Sequence, residues 1–220
     1  MSPLNPRLLD TGSPPIPEVQ TWGARYASQG GVLLNMCQAV PSHPPAPGML
    51  ERLAHAAGDP GSATYGPIMG DTALREAYAA DFGTLYGGRP DASQVAITAG
   101  CNQAYFVMMM ALAQRGDAVL LPTPWYFNHR MTLDMLGIEP RPLPCRAEQN
   151  FVPDPEEAEA LLDEKVRAIV LVTPNNPTGA IYPPELIARF HALCLKRGIW
   201  LVLDETYRDF LPPGRERPHE

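Results

Sequence analysis

Residues 167–179 read RAIVLVTPNNPTG, and residues 199–210 read IWLVLDETYRDF. Two apolar, β-branched runs, 168–172 and 200–203, have the length and composition of strands buried on both faces of a parallel sheet. Each ends in a polar burst: Asn175, Asn176, Pro177, Thr178 and Gly179 after the first, Asp204, Glu205, Thr206 and Tyr207 after the second. The intervening 183–197 is long enough for one crossover helix, so the unit reads strand–helix–strand. Ligands of such sheets bind beyond the carboxyl ends of the strands. Asn176, Asp204 and Tyr207 are therefore expected at one crevice, although 28 positions separate the Asn from the Asp.

An amide, a carboxylate and a phenol in one crevice suit a particular kind of ligand. A buried carboxylate is costly unless a cation or donor meets it, and a protonated ring nitrogen is such a partner. Asn176 and Tyr207 can both donate to an anionic ring oxygen. Those are the demands of pyridoxal 5′-phosphate. The bland alternative makes NPTG a turn and Asp204 a helix cap. The pair NNPTG and DETY, in this element order, resembles the fold-type-I, class I/II aminotransferases. The resemblance implies a three-layer α/β/α domain with a mostly parallel sheet. It also implies that Asn176 contacts the cofactor's phenolic oxygen, that Asp204 partners the pyridinium, and that Tyr207 is a second phenolic-oxygen donor.

The remaining sequence extends the reading. Residues 94–98, followed by Gly100, Cys101 and Asn102 and a helix at 103–115, form a strand–glycine–helix junction. Its free N–H groups and positive dipole end suit a phosphate, and it resembles the family's phosphate cup. The spacings GxGxxG and GxxxxGK[ST] are absent, so neither a Rossmann dinucleotide site nor a P-loop is supported. After the strand at 118–122 come Trp125, Tyr126 and His129. By the resemblance Tyr126 stacks on the cofactor ring, with Trp125 the rival, and His129 orients the pyridinium-binding acid; a lone histidine is also an ordinary core residue. Tyr65, in a Tyr-Gly…Gly…Leu-Arg pattern, resembles a tyrosine that reaches the cofactor phosphate in the neighbouring subunit, which implies a homodimer. A packed loop aromatic is the alternative. Ala39 stands where the family's substrate-covering segment has glycine.

The other expected elements are a short strand at 32–37, helices at 18–29, 49–57, 71–86 and 126–136, a strand at 139–143 beside a sheet edge, and a helix from 154 to about 164. Asp71 and Asp154 are the expected N-caps. Leu74, Tyr78 and Phe82 share one helix face, and Met108–Met110 reads as core filler. The expected sheet has five strands, near 94–98, 118–122, 139–143, 166–172 and 199–204. Residues 1–48 are expected to be an arm and substrate-covering segment, and 49–220 the cofactor-binding large domain.

Composition sets bounds. A net charge of −7 with dispersed basic residues argues against nucleic acid and against an anionic membrane. Four isolated cysteines, at 37, 101, 145 and 194, suggest neither zinc nor a disulfide framework, and point to a reducing cytoplasm. The chain has two lysines, Lys165 and Lys196. Neither sits in the Ser-x-x-Lys setting from which the family bonds its cofactor, so the chain is expected to be the front part of such an enzyme, with an incomplete sheet and no catalytic lysine. The resemblance implies transfer of an amino group from an amino acid to a 2-oxo acid. A β-lyase or decarboxylase of the same fold, or a non-catalytic cofactor-binding or interaction module, shares the cradle and stays open.

Overall fold

The computed structural model describes residues 5–27, 29–30, 32–38, 43–211 and 219. It divides into two compact units, Ser13–Ile68 and the remainder of the chain. The chain opens with a short helix, α1 (Pro6–Asp10), which belongs to the larger unit. The smaller unit holds α2 (Ile16–Ala27) and α3 (Pro47–Gly58). Residues 32–36 are coil, not the expected strand. A strand exists only through a ladder with a neighbour. Here the backbone bonds locally, Cys37 N–H donating to Asn35 Oδ1 at 3.1 Å, and Leu33 packs against Gly23 of α2 instead. Ala39 lies outside the described residues.

In the larger unit, α4 (Thr72–Tyr86) starts where Asp71 accepts from the N–H groups of Ala73 and Leu74, and stops at Gly87 in the left-handed region. Of its residues, Ala79 and Tyr86 are the buried ones. Leu74 and Tyr78 are exposed, so the face they share with Phe82 is not a core face. Then follow α5 (Cys101–Leu112), β1 (Ala118–Thr123), α6 (Phe127–Leu136), β2 (Glu139–Pro144), α7 (Pro155–Ala160), β3 (Val166–Val172), α8 (Pro184–Arg197) and β4 (Trp200–Asp204). Asp154 caps α7, and the left-handed glycines Gly137 and Gly198 end α6 and α8.

The four strands run parallel in the order β2-β1-β3-β4. Alternation along each strand builds two cores. Val119, Leu121, Ala168, Val170 and Val202 face Tyr105 and Met109 of α5 and Leu133 of α6. Leu120, Ile169 and Leu171 face Ala158 of α7 and Ile187, Phe190 and Cys194 of α8. The result is a three-layer α/β/α arrangement. Of the methionine run only Met109 is buried; Met108 and Met110 are exposed.

The sheet has four strands where five were expected. Residues 95–98 contain no strand. Val95 has extended torsions, and Ile97 N–H donates to Met69 C=O at 2.9 Å. That is one bond of a ladder, and among the described residues no strand lies beside the segment to complete it.

The order in which successive strands join the sheet reverses at β1, because β2 lies on one side of β1 while β3 and β4 lie on the other. Register aligns Val172 with Asp204, so the loops after β3 and β4 leave the sheet at the same level. The crevice beyond such a reversal is where open α/β sheets take ligands.

Candidate active site

A cavity of about 180 Å³ opens at this reversal. Four separate pieces of chain line it. The start of α5 brings Gly100, Cys101 and Asn102, and the turn after β1 brings Tyr126. The loop after β3 brings Asn176, and the end of β4 brings Asp204, Thr206 and Tyr207. Seven residues singled out in the sequence are thus together.

Each is held for a local reason. In NNPTG the first asparagine organises the loop. Asn175 Oδ1 accepts from the Thr178 N–H and hydroxyl, at 3.2 and 2.8 Å, and its Nδ2 donates to the Tyr182 hydroxyl at 3.3 Å. This leaves Asn176 to face the cavity. Gly100 has φ +87°, a torsion that favours glycine, and turns extended chain into α5 without a side-chain cap. An α-helix leaves its first N–H groups without intrahelical acceptors, so the cavity receives donors and the positive end of the α5 dipole. Asn128 Nδ2 donates to the Tyr126 hydroxyl at 2.8 Å and ties down its outer edge. Trp125 packs on the α5/α6 core with the Arg130 guanidinium 5.3 Å from its ring centroid, and does not line the cavity.

Asp204 is the electrostatic centre. It is 9% exposed. Its Oδ1 accepts from the Thr206 N–H at 3.0 Å and the Thr206 hydroxyl at 2.7 Å, an Asx-type turn. Its Oδ2 lies 3.1 Å from Nε2 of the buried His129. The two are at ion-pair distance, but the N–H direction is off the line of a hydrogen bond. The Cys101 thiol is 3.5 Å from the same Oδ2. Burial alone would raise the Asp204 carboxyl. The His129 ring, the Thr206 hydroxyl and the Thr206 N–H outweigh burial and hold it at about 2. Asp204 is therefore an anion at neutral pH, in the lining of a cavity that the start of α5 also lines. Burial and the neighbouring Asp204 charge raise the Cys101 thiol, which is a neutral group here.

Two participants carry no role in the sequence reading. Thr206 sits two residues after Asp204, the spacing of an Asx turn, and that spacing is the signal for it. Tyr105 stacks on the His129 ring at 4.0 Å. It lies four residues after Cys101 and so on the same helix face. Tyr65 belongs to the smaller unit and its side chain is exposed. Neither lysine lines the cavity. Lys165 meets Ala118 at the amino-terminal end of β1, and Lys196 pairs with Glu159 at 2.7 Å. Among the described residues no helix is long and apolar enough to cross a membrane, and no cluster of three His, Cys, Asp or Glu is arranged to hold a metal ion.

Comparison with known proteins agrees with this architecture. Residues 32–217 match the family described as "Aminotransferase class I and II". A probable aspartate/prephenate aminotransferase of Aquifex aeolicus is 32% identical over 151 residues, which are 69% of this chain and 38% of that protein. The aromatic aminotransferase ISS1 of Arabidopsis thaliana is 29% identical over 96% of this chain and 53% of its own length. Among solved structures, a Thermus thermophilus aspartate aminotransferase with maleate superposes with a TM-score of 0.89 at 28% identity, covering 99% of this chain and 57% of that one. The chain spans about half the length, or less, of these relatives.

Proposed function

The chain belongs to the class I and II aminotransferases, and from that premise we propose that it is the cofactor-cradling part of an enzyme that moves an amino group from an amino acid to a 2-oxo acid with pyridoxal 5′-phosphate. The observation that carries the reading is the meeting of Gly100, Asn102, Tyr126, Asn176 and Tyr207 over the buried anion of Asp204. The donor set fits the group. Its phosphate suits the uncapped start of α5 at Gly100, Cys101 and Asn102. Its protonated ring nitrogen suits Asp204, whose charge is maintained by His129 and Thr206. Its phenolic oxygen suits the Asn176 amide and the Tyr207 hydroxyl, and its flat ring suits the face of Tyr126. When bound, the cofactor supplies an electron sink that eases loss of a substrate α-proton.

The protein's contribution is electrostatic. Asp204 stays ionised and so keeps a proton on its partner; Asn176 and Tyr207 tune the opposite edge by donating hydrogen bonds. Tyr65 completes the phosphate site from a second copy in a homodimer. A reducing cytoplasmic setting suits the four unpaired thiols. Because the two lysines lie away from the cavity, this chain by itself holds the cofactor non-covalently.

The test is titration of the chain with pyridoxal 5′-phosphate, followed by absorbance and by quenching of intrinsic fluorescence. Saturable binding is expected. Asp204→Ala should weaken it about ten- to a hundredfold, the worth of a charge-assisted contact, and borohydride treatment followed by peptide mapping should place no fixed cofactor on a residue that lines the cavity. Absence of saturable binding, or equal binding by Asp204→Ala, overturns the reading.

A further inference from the structure

His129 holds one of the two oxygens of Asp204, and its own orientation has to be held by something. Three groups meet the imidazole. Asp204 approaches Nε2 from the end of β4, at 3.1 Å. Tyr126 meets the ring edge-on from the turn after β1, with centroids 5.2 Å apart and planes at 85°. Tyr105 covers a face of the ring from α5, with centroids 4.0 Å apart and planes 24° apart. Tyr105 and His129 are 3% and 2% exposed. The Cys101 thiol, one turn earlier on α5, shares the Asp204 oxygen that His129 approaches.

Rotation about the His129 Cβ–Cγ bond swings the imidazole plane and carries Nε2 away from the carboxylate. A flat ring stacked at 4.0 Å blocks that swing, because the imidazole would have to pass through it. The Tyr105 hydroxyl is buried and has no hydrogen-bond partner among the described residues. What Tyr105 contributes at this point is therefore its plane and not its polar end.

We propose that Tyr105 is a positioning residue whose ring holds the His129 imidazole in the plane from which Nε2 faces Asp204. Its consequence for cofactor affinity rests on the function proposed above; the geometry of the three side chains does not. The residue acts through His129 and Asp204 and touches no reacting atom.

The experiment compares the wild-type chain with Tyr105→Phe and Tyr105→Leu, and with Tyr105→Met as a second variant that fills volume without a flat face. The first readout is the 15N and 1H signals of the His129 ring at neutral pH, without cofactor. Wild type and Tyr105→Phe should show ring protons shifted upfield by the stacked aromatic and one fixed pattern of nitrogen signals. The Leu and Met variants should lose the upfield shift and show averaged nitrogen signals. The second readout is affinity for pyridoxal 5′-phosphate. It should fall about tenfold in the Leu and Met variants and stay within about twofold in the Phe variant, the scale of an outer-shell effect. The proposal is overturned if the wild-type ring protons carry no upfield shift, or if Leu and Met keep the wild-type nitrogen pattern and lose only thermal stability. A wild-type chain that binds no pyridoxal 5′-phosphate refutes the cofactor reading instead, and the nitrogen pattern alone then decides the role of Tyr105.

Discussion

Replacing His129 by Phe isolates what holds Asp204 in its charged form. The substitution keeps an aromatic ring against Tyr105 and removes both imidazole nitrogens. Asp204 then retains its two contacts from Thr206 but loses the group 3.1 Å from Oδ2. Its carboxyl, now at about 2 against an ordinary 3.8, should titrate at a higher pH, because burial is less fully offset. A carboxyl whose folded value is depressed stabilises the fold above its unfolded value, and that stability disappears as pH falls through the folded value. The net interval from 3.8 to about 2 corresponds to about 2 kcal/mol; it is what remains after His129 and Thr206 together offset burial, and the loss of His129, the largest of the lowering contacts, removes an amount on the order of that net. His129→Phe should therefore cost about 1–2 kcal/mol in urea unfolding at pH 5, followed by tryptophan fluorescence and circular dichroism. The difference from wild type should shrink steadily between about pH 4 and pH 2, where Asp204 takes up its proton in both chains. A cost that stays constant from pH 5 to pH 2.5 would mean that His129 acts by packing alone and would refute the electrostatic account.

Thr206→Val removes the hydroxyl 2.7 Å from Asp204 Oδ1 and keeps the backbone N–H contact; it should lower stability by about 1–2 kcal/mol above pH 4, with the loss fading toward pH 2 in the same urea series. Gly70 has φ +98°, and a Cβ there would lie 2.5 Å from Ile97 Cβ, so Gly70→Ala should cost about 2–4 kcal/mol by thermal or urea unfolding. Phe190 is fully buried between α8 and the sheet, and Phe190→Ala should cost about 3–5 kcal/mol by the same measurement.

The sequence was most informative where a residue's conformation has a local cause. Asp71 and Asp154 cap helices because a short carboxylate reaches the N–H groups two or three residues ahead. Gly137 and Gly198 end helices because the left-handed torsion is cheap for glycine. The runs at 168–172 and 200–203 are strands because apolar β-branched residues on both faces have few other places to go. Reading was poorer where the outcome depends on a neighbour far away in sequence. Residues 95–98 and 32–36 have strand-like composition, but without a ladder partner among the described residues they stay coil. Leu74 and Tyr78 have helical spacing, but no apolar surface of the described unit covers them. Tyr105 looks like any aromatic of an apolar helix until α6 sets His129 against it.

By itself the sequence determined the parallel α/β plan and the polar clusters at the strand ends, because side-chain alternation, caps and strand-end motifs are properties of neighbouring residues. Tertiary structure decided the strand order that brings the loops after β1, β3 and β4 to one cavity, and the charge state of Asp204 within it. Neither is a property of any one segment. A carboxylate's ionisation follows from how much water it loses and which donors replace that water, and here those donors come from Thr206 two residues away and from His129 on another element of the fold.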